Sequence, residues 1–233
     1  MSTDRIARVA GFLYLLVVLT GMYVLLYVPP RLFVPGDATA TVTKLLEHQT
    51  LYRSWIAMGL LSEFLFIAVV LVLYWLLKDV NPVHAALMVL PVLLSAPLAF
   101  LSQSFHVATL AVLRGGEFLS AFDKPARDAL TLLLVNMDRE GTPVMEILWG
   151  LWLLPLGLPV FRSGYLPRLL AVWLPLNGPA YVSLGLIGIL APQHAEGAMK
   201  LAMPLLMAKP AFAVWLLFAG ARGRGVIPPL APA

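Results

Sequence analysis

Three strongly polar side chains stand inside apolar stretches that are long enough to cross a bilayer. Glu63 lies about nine residues into the stretch that begins at Ser54, which is roughly 14 Å of helix and about half of the hydrocarbon thickness. Lys209 and Asn177 lie at a similar depth in two later stretches. A charged group at that depth costs about 3 kcal/mol or more, so it usually faces other helices and has a partner. These residues are therefore the first candidates for chemistry.

The opposite charges of Glu63 and Lys209 allow two interpretations. In the first, the two side chains form a buried ion pair that fixes the packing of the helices. In the second, they form the polar floor of a pocket for a ligand or a proton, with Asn177 beside them. Pro210 follows Lys209 and prolines flank Asn177, so both residues are predicted to lie at helix breaks. Backbone carbonyls freed in this way are tolerated at membrane depth where they line a cavity.

Gln103, His106 and Glu146 are expected nearer the outer face, above Glu63, where they would line the mouth of the same pocket. Two of them also have a simpler interpretation. An acid in the first turns of a helix complements the helix dipole, which would explain Glu146. A lone histidine near the interface is more often a satisfied surface group than a ligand. If the protein is an enzyme, Glu63 is the expected catalytic acid or base.

The other polar residues show no pattern typical of hydrolysis, nucleotide chemistry or metal binding. The chain has no cysteine, and its four histidines lack the H-E-x-x-H spacing of a metal site. It has neither a G-x-S-x-G elbow nor a phosphate-binding glycine loop. The basic residues do not form a stripe with interleaved aromatics, as a nucleic-acid surface would. We therefore expect no metal, no cofactor and no nucleic-acid partner.

Composition identifies the elements that must position these residues. Hydrophobic residues make up 61% of the chain and charged residues 12%, against about 45–50% and about 25% in soluble domains. The apolar stretches predict transmembrane helices over about residues 6–27, 54–77, 82–113, 142–161, 169–190 and 201–219. The predicted fold is an all-α integral membrane protein, a single six-helix transmembrane bundle over residues 1–233.

The polar intervals between the stretches predict the topology. Two short helices are expected on the outer membrane surface: one between Arg31 and Arg53 with Asp37 as its N-cap, the other over residues 126–137. Lysine and arginine in the short loops favour the cytoplasmic side. The residues concerned are Arg5, Arg8, Lys78, Arg162, Arg168, Arg222 and Arg224. Both termini are therefore expected in the cytoplasm.

Four short motifs resemble the DUF4386 family: RIARVAG at 5–11, GDATA at 36–40, LYWLLK at 73–78 and FRSGYLPR at 161–168. The resemblance extends over nearly the whole chain and implies a bacterial multi-pass membrane protein. It also implies that an acid in the middle of the second crossing, here Glu63, is a family feature. The family is further expected to carry an acid in the sixth crossing, and this chain departs from that pattern with Lys209.

Together these features favour an inner-membrane protein with an outward-opening polar pocket that binds a small hydrophobic or amphiphilic molecule within the bilayer. One alternative is an intramembrane acid/base enzyme, of the isomerase or cyclase type, on a lipid-like or isoprenoid substrate. Aromatic side chains around Glu63 would favour it, because they stabilise cationic intermediates. Another alternative is a structural or partner subunit without a small-molecule site. The sequence leaves the oligomeric state open.

Overall fold

A computed structural model describes residues 2–221, which form helices joined by short turns, with no strand in this range. The α-helices are α1 (Thr3–Met22), α2 (Pro29–Leu32), α3 (Ala38–Glu47), α4 (Gln49–Leu77), α5 (Pro82–Arg114), α6 (Lys124–Leu151), α7 (Leu153–Ser163), α8 (Arg168–Leu190), α9 (Ala195–Leu206) and α10 (Ala208–Ala219). A π-helical turn, Tyr23–Tyr27, joins α1 to α2. Arg222 and Arg224, which contributed to the predicted topology, lie outside the described residues.

Six helical segments of the described chain are long and apolar enough to cross a membrane: Thr3–Leu32, Gln49–Leu77, Pro82–Arg114, Lys124–Ser163, Arg168–Leu190 and Pro192–Ala219. Many of their large apolar side chains face outward, and Leu169, Leu190 and Leu201 are each 78% or more exposed. Apolar surface of this extent is unfavourable in water and suits a lipid environment. The predicted number of membrane-length apolar helices is confirmed, and their length and composition indicate an integral membrane protein.

The segment before the fourth crossing differs from the prediction. Helix α6 runs from Lys124 to Leu151 without interruption, so the helix expected over residues 126–137 and the start of the crossing are one element. Pro143 removes only one backbone hydrogen bond. Beside it, the Thr142 hydroxyl donates to the Asp138 carbonyl at 3.0 Å, a bond that is typical of threonine inside a helix. The first predicted surface helix exists as α3, with Asp37 accepting from the Ala40 N–H at 2.8 Å as its N-cap. The location of both on a membrane surface stays a prediction.

Two crossings are interrupted just ahead of a proline. Helix α9 ends at Leu206, where Pro210 lacks the N–H that would bond to the Leu206 carbonyl. Helix α6 ends at Leu151 for the same reason, with Pro155 four residues later. Lys209 therefore lies beside a break, as predicted.

The break predicted at Asn177 is absent. Helix α8 continues through Pro175 and Pro179 from Arg168 to Leu190. Here the lost hydrogen bonds are tolerated inside a helix that packs against α7, α9 and α10. A proline alone is therefore not sufficient to interrupt a crossing in this chain.

The chain divides into two compact units. Within the described residues, unit 1 comprises 2–16, 65–96 and 143–221, and unit 2 comprises 17–64 and 97–142. In unit 1, α6 and α8 approach closely at small residues, since a Cβ on Gly150 would lie 2.5 Å from the Gly178 carbonyl oxygen. Unit 2 has its own apolar core, which includes Leu32, Leu45 and Trp55. The predicted single transmembrane domain stays a prediction.

Candidate functional site

The six predicted site residues are distributed over both units. Unit 2 contains Glu63, Gln103 and His106, and unit 1 contains Glu146, Asn177 and Lys209. The predicted ion pair between Glu63 and Lys209 thus joins residues that belong to different units, and it stays a prediction. Each unit has a polar cluster of its own.

In unit 2, His106 is the centre of a polar chain. Its side chain is fully buried. Its Nδ1 lies 3.1 Å from the Tyr52 hydroxyl, and its Nε2 lies 3.5 Å from a carboxylate oxygen of Asp138. The chain therefore joins α4, α5 and α6. The interpretation of His106 as an interfacial surface group is wrong, because the neighbouring helices enclose the imidazole completely.

An aromatic side chain lies against this imidazole. The Trp55 ring lies with its centroid 4.4 Å from that of His106, inclined at 59°. The Trp55 indole N–H donates to the Val24 carbonyl at 2.8 Å, within the π-helical turn Tyr23–Tyr27. Such turns are frequent at functional sites. This hydrogen bond fixes the indole against His106.

Glu63 and Gln103 lie at the same interface between α4 and α5, which we call the α4–α5 seam. Glu63 is 8% exposed, and its Oε1 has no hydrogen-bond partner among residues 2–221. The Gln103 amide lies over Gly59, one turn before Glu63, since a Cβ on Gly59 would be 2.7 Å from the Gln103 Nε2. The Gln103 Oε1 is likewise buried without a partner in this range. Gln103 and His106 are three residues apart and share one face of α5, so the three predicted residues of unit 2 lie along one seam.

In unit 1, the Lys209 ammonium lies over an aromatic ring. Its Nζ is 3.8 Å from the centroid of Tyr181, and it makes no direct ion pair with a described residue of unit 1. Glu146 is close enough to interact electrostatically with both Lys209 and Tyr181. The interpretation of Glu146 as a first-turn acid is wrong, because α6 begins at Lys124 and Glu146 lies in its interior.

Asn177 lies one turn before Tyr181 on α8 and is fully buried. Neither its Nδ2 nor its Oδ1 has a hydrogen-bond partner within the described range. The Tyr14 hydroxyl and the Trp152 indole N–H are buried and unpartnered in the same way, with their ring centroids 6.4 Å apart. Tyr14 also interacts electrostatically with Tyr181.

We refer to Tyr14, Trp152, Asn177, Tyr181 and Lys209 as the donor cluster, because each can donate a hydrogen bond. A buried polar group without a partner costs about 1–3 kcal/mol, and native proteins contain few of them. Several such groups in one place are able to bind a polar partner. Sequence reasoning missed Tyr14, Trp152 and Tyr181, because aromatic residues inside apolar stretches look like packing residues.

Neither cluster resembles a metal site. No group of three or more His, Asp or Glu side chains converges in residues 2–221. A small apolar pocket in unit 1 is lined by Leu73, Tyr165 and Phe212 among others and includes none of the six predicted site residues. The side chains of the two clusters can form hydrogen bonds, interact through their charges and exchange protons.

Comparison with known proteins supports the family resemblance. Residues 9–220 match the family model described as "Domain of unknown function (DUF4386)". No curated protein and no solved structure is significantly similar to the chain. Three of the four motifs noted in the sequence lie wholly inside the matched range. The chain therefore belongs to the DUF4386 family.

Proposed function

We propose that this protein binds a small amphiphilic molecule within the membrane and that the donor cluster of unit 1 holds its polar head group. The observation that carries the proposal is the burial of the Asn177 side chain. Its amide is fully buried, and none of its hydrogen-bonding capacity is used within the described residues. A ligand atom beside Asn177 would supply the missing partner. The burial of the site limits the ligand to a small head group.

The chemistry of the cluster selects the head group. The Lys209 ammonium, the Tyr14 hydroxyl and the Trp152 indole N–H all present donor hydrogens. A head group with acceptor oxygens and negative charge complements them best, since hydrogen bonds between charged partners are about twice as strong as neutral ones. Glu146 interacts electrostatically with Lys209 and balances its charge when the site is empty. A carboxylate with an apolar tail meets all of these requirements.

We further propose that the protein lies in the bacterial inner membrane with both termini in the cytoplasm and the site open to the outer side. The support is the placement of basic residues in short connections. Lys78 lies between α4 and α5, and Arg162 and Arg168 flank the turn between α7 and α8. Basic residues in short connections favour the cytoplasmic side.

The test compares three amphiphiles with the same tail: dodecanoate, dodecanol and dodecyltrimethylammonium. Protein in nanodiscs of zwitterionic lipid is titrated with each, and the thermal unfolding midpoint is measured. Dodecanoate should raise the midpoint, by the equivalent of about 2.7 kcal/mol at a concentration a hundred times the Kd. The other two should have little effect. Lys209→Met should abolish the shift, whereas Lys200→Met, which breaks an exposed pair with Glu196, should retain it.

An intramembrane acid/base enzyme remains the second candidate, favoured by the buried and unpartnered Glu63 Oε1. In that case Glu63→Gln should stop turnover of a lipid-like substrate while amphiphile binding persists. Aromatic side chains around Glu63 would favour the enzyme, and Tyr52 and Trp55 lie beside His106, on the same two helices. A partner subunit without a ligand would show no midpoint shift with any of the three amphiphiles, and that result would refute the binding proposal.

A further inference from the structure

The imidazole of His106 has polar groups at both ring nitrogens, one on either neighbouring helix. We propose that His106 is a proton-binding site of unit 2, in which the ring takes up a proton between Tyr52 and Asp138. The site is independent of the donor cluster and of the amphiphile proposed for unit 1. Its ligand is the proton, and Asp138 supplies the countercharge.

The hydrogen bonds can accommodate both charge states of the ring. In the neutral ring, the Tyr52 hydroxyl donates to Nδ1 across 3.1 Å, and Nε2–H faces the Asp138 carboxylate. When the ring is protonated, Nδ1–H donates to the Tyr52 oxygen instead. The Tyr52 O–H then turns toward the Thr109 hydroxyl, which is within reach of it. Thr109 donates its own proton to the Phe105 carbonyl at 3.0 Å, so its oxygen is free to accept. Nδ1 and the two hydroxyl groups thus have partners in either state. Nε2 makes no hydrogen bond among the described residues, and the Asp138 carboxylate 3.5 Å away is the group that it would approach on protonation.

The surroundings stabilise the charged ring. A fully buried cation is unfavourable unless it is paired, and the Asp138 carboxylate provides that pairing from α6. The Trp55 ring lies next to the imidazole, with its centroid 4.4 Å away, and aromatic rings attract cations. Tyr52 meets the imidazole at right angles, with the ring centroids 6.0 Å apart. Among the described residues, Tyr52 on α4 and Asp138 on α6 are the titratable groups in contact with the ring. Glu63 lies about three helical turns after Tyr52 on α4.

Asp138 also gives the proton a route to the ring. Its side chain is 25% exposed, whereas that of His106 is fully buried. The separation of 3.5 Å between Nε2 and the carboxylate is longer than the approximately 2.7–2.9 Å of a charge-assisted hydrogen bond. Protonation of the ring should therefore shorten this contact and draw α6 toward α4 and α5. Proton uptake would thus be linked to the packing of unit 2.

The test uses a protein whose only histidine is His106, made by replacing His48, His84 and His194 with glutamine. Those side chains lie outside the buried core, with His48 and His194 exposed, so the fold should be retained. The protein is labelled with ¹⁵N-histidine, placed in nanodiscs and titrated from about pH 8.5 to about pH 5 while the ring nitrogens are observed by NMR. We expect the signals to change from those of a neutral tautomer to those of imidazolium.

Two variants identify the partners. Asp138→Asn keeps the shape and removes the countercharge, so the ratio of imidazolium to neutral ring at pH 6 should fall about tenfold or more, the effect of one nearby opposite charge. Asp123→Asn is the matched control, because Asp123 caps the start of α6 through the Ala126 N–H and should leave the ratio unchanged. A ring that stays neutral down to pH 5 would overturn the proposal. So would an Asp138→Asn variant with an unaltered ratio.

Discussion

Replacing Asn177 with leucine should stabilise the ligand-free protein. Leucine has nearly the shape of asparagine but no polar atoms. The native amide is fully buried, with neither Nδ2 nor Oδ1 bonded in the described chain, and such a group costs about 1–3 kcal/mol. Leucine removes that cost and adds apolar burial at the site. We therefore expect the free energy of unfolding to rise by about 1–3 kcal/mol.

The assay is thermal unfolding in nanodiscs without added amphiphile, with denaturant unfolding as a second measure. The matched control is Asn81→Leu, because the Asn81 side chain is bonded: its Oδ1 accepts from the His84 N–H at 3.1 Å at the start of α5. That variant should lose about 1 kcal/mol, the usual value of a helix cap. The contrast between the two asparagines isolates the effect of an unpartnered amide.

The same variant also tests the proposed function. If Asn177 serves a ligand, Asn177→Leu should gain stability and lose the shift produced by dodecanoate, which is the common trade between stability and function. A loss of more than about 1 kcal/mol on Asn177→Leu would refute the reasoning. The amide would then already be hydrogen-bonded in the ligand-free protein, for example to an internal water. In that case the donor cluster would not be available to bind a head group.

Three further predictions address the fold and the ion pair. Glu63→Leu and Lys209→Leu should each cost about 3–5 kcal/mol in detergent if the two charges pair, and the double variant should recover most of the loss; additive losses would mean that they do not meet. In the cysteine-free chain, a single cysteine at Asp79 should react with a membrane-impermeant thiol reagent only after the membrane is opened; labelling of intact cells from outside would reverse the topology. Gly150→Val should destabilise the protein by about 3 kcal/mol or more, because its Cβ would lie 2.5 Å from a carbonyl oxygen of α8. Gly21→Val, where a Cβ meets nothing within 4 Å, should leave the stability unchanged or raise it by a few tenths of a kcal/mol, because valine is the better helix former; equal losses at the two glycines would argue against the close packing of α6 and α8.

The six apolar helices follow from the sequence alone. A bilayer sets the length that each crossing needs, and only apolar side chains tolerate its interior, so the sequence shows each crossing directly. The cap at Asp37 was equally local, because an N-cap depends only on residues within one turn. The family resemblance was also a property of the sequence, and the match over residues 9–220 confirmed it.

Helix interruptions were only partly predictable. Prolines predicted breaks near both Lys209 and Asn177, and the structure has the first but not the second. A proline always removes one hydrogen bond, but the packing of neighbouring helices decides whether the helix is interrupted. The junction of the 126–137 segment with the fourth crossing is another such case, since α6 continues past Pro143.

The sequence identified candidate residues by their chemical type, and the tertiary structure decided their partners. Polar residues such as His106 and Asn177 stand out in apolar stretches because they are costly there. The bond between His106 and Tyr52 joins residues 54 positions apart, and no local pattern specifies it. Tyr14 and Trp152 gave no signal, because an aromatic residue in a membrane helix normally packs through its ring. Only the tertiary structure, in which helices distant in sequence come together, shows that their polar atoms are buried without a hydrogen-bond partner among residues 2–221.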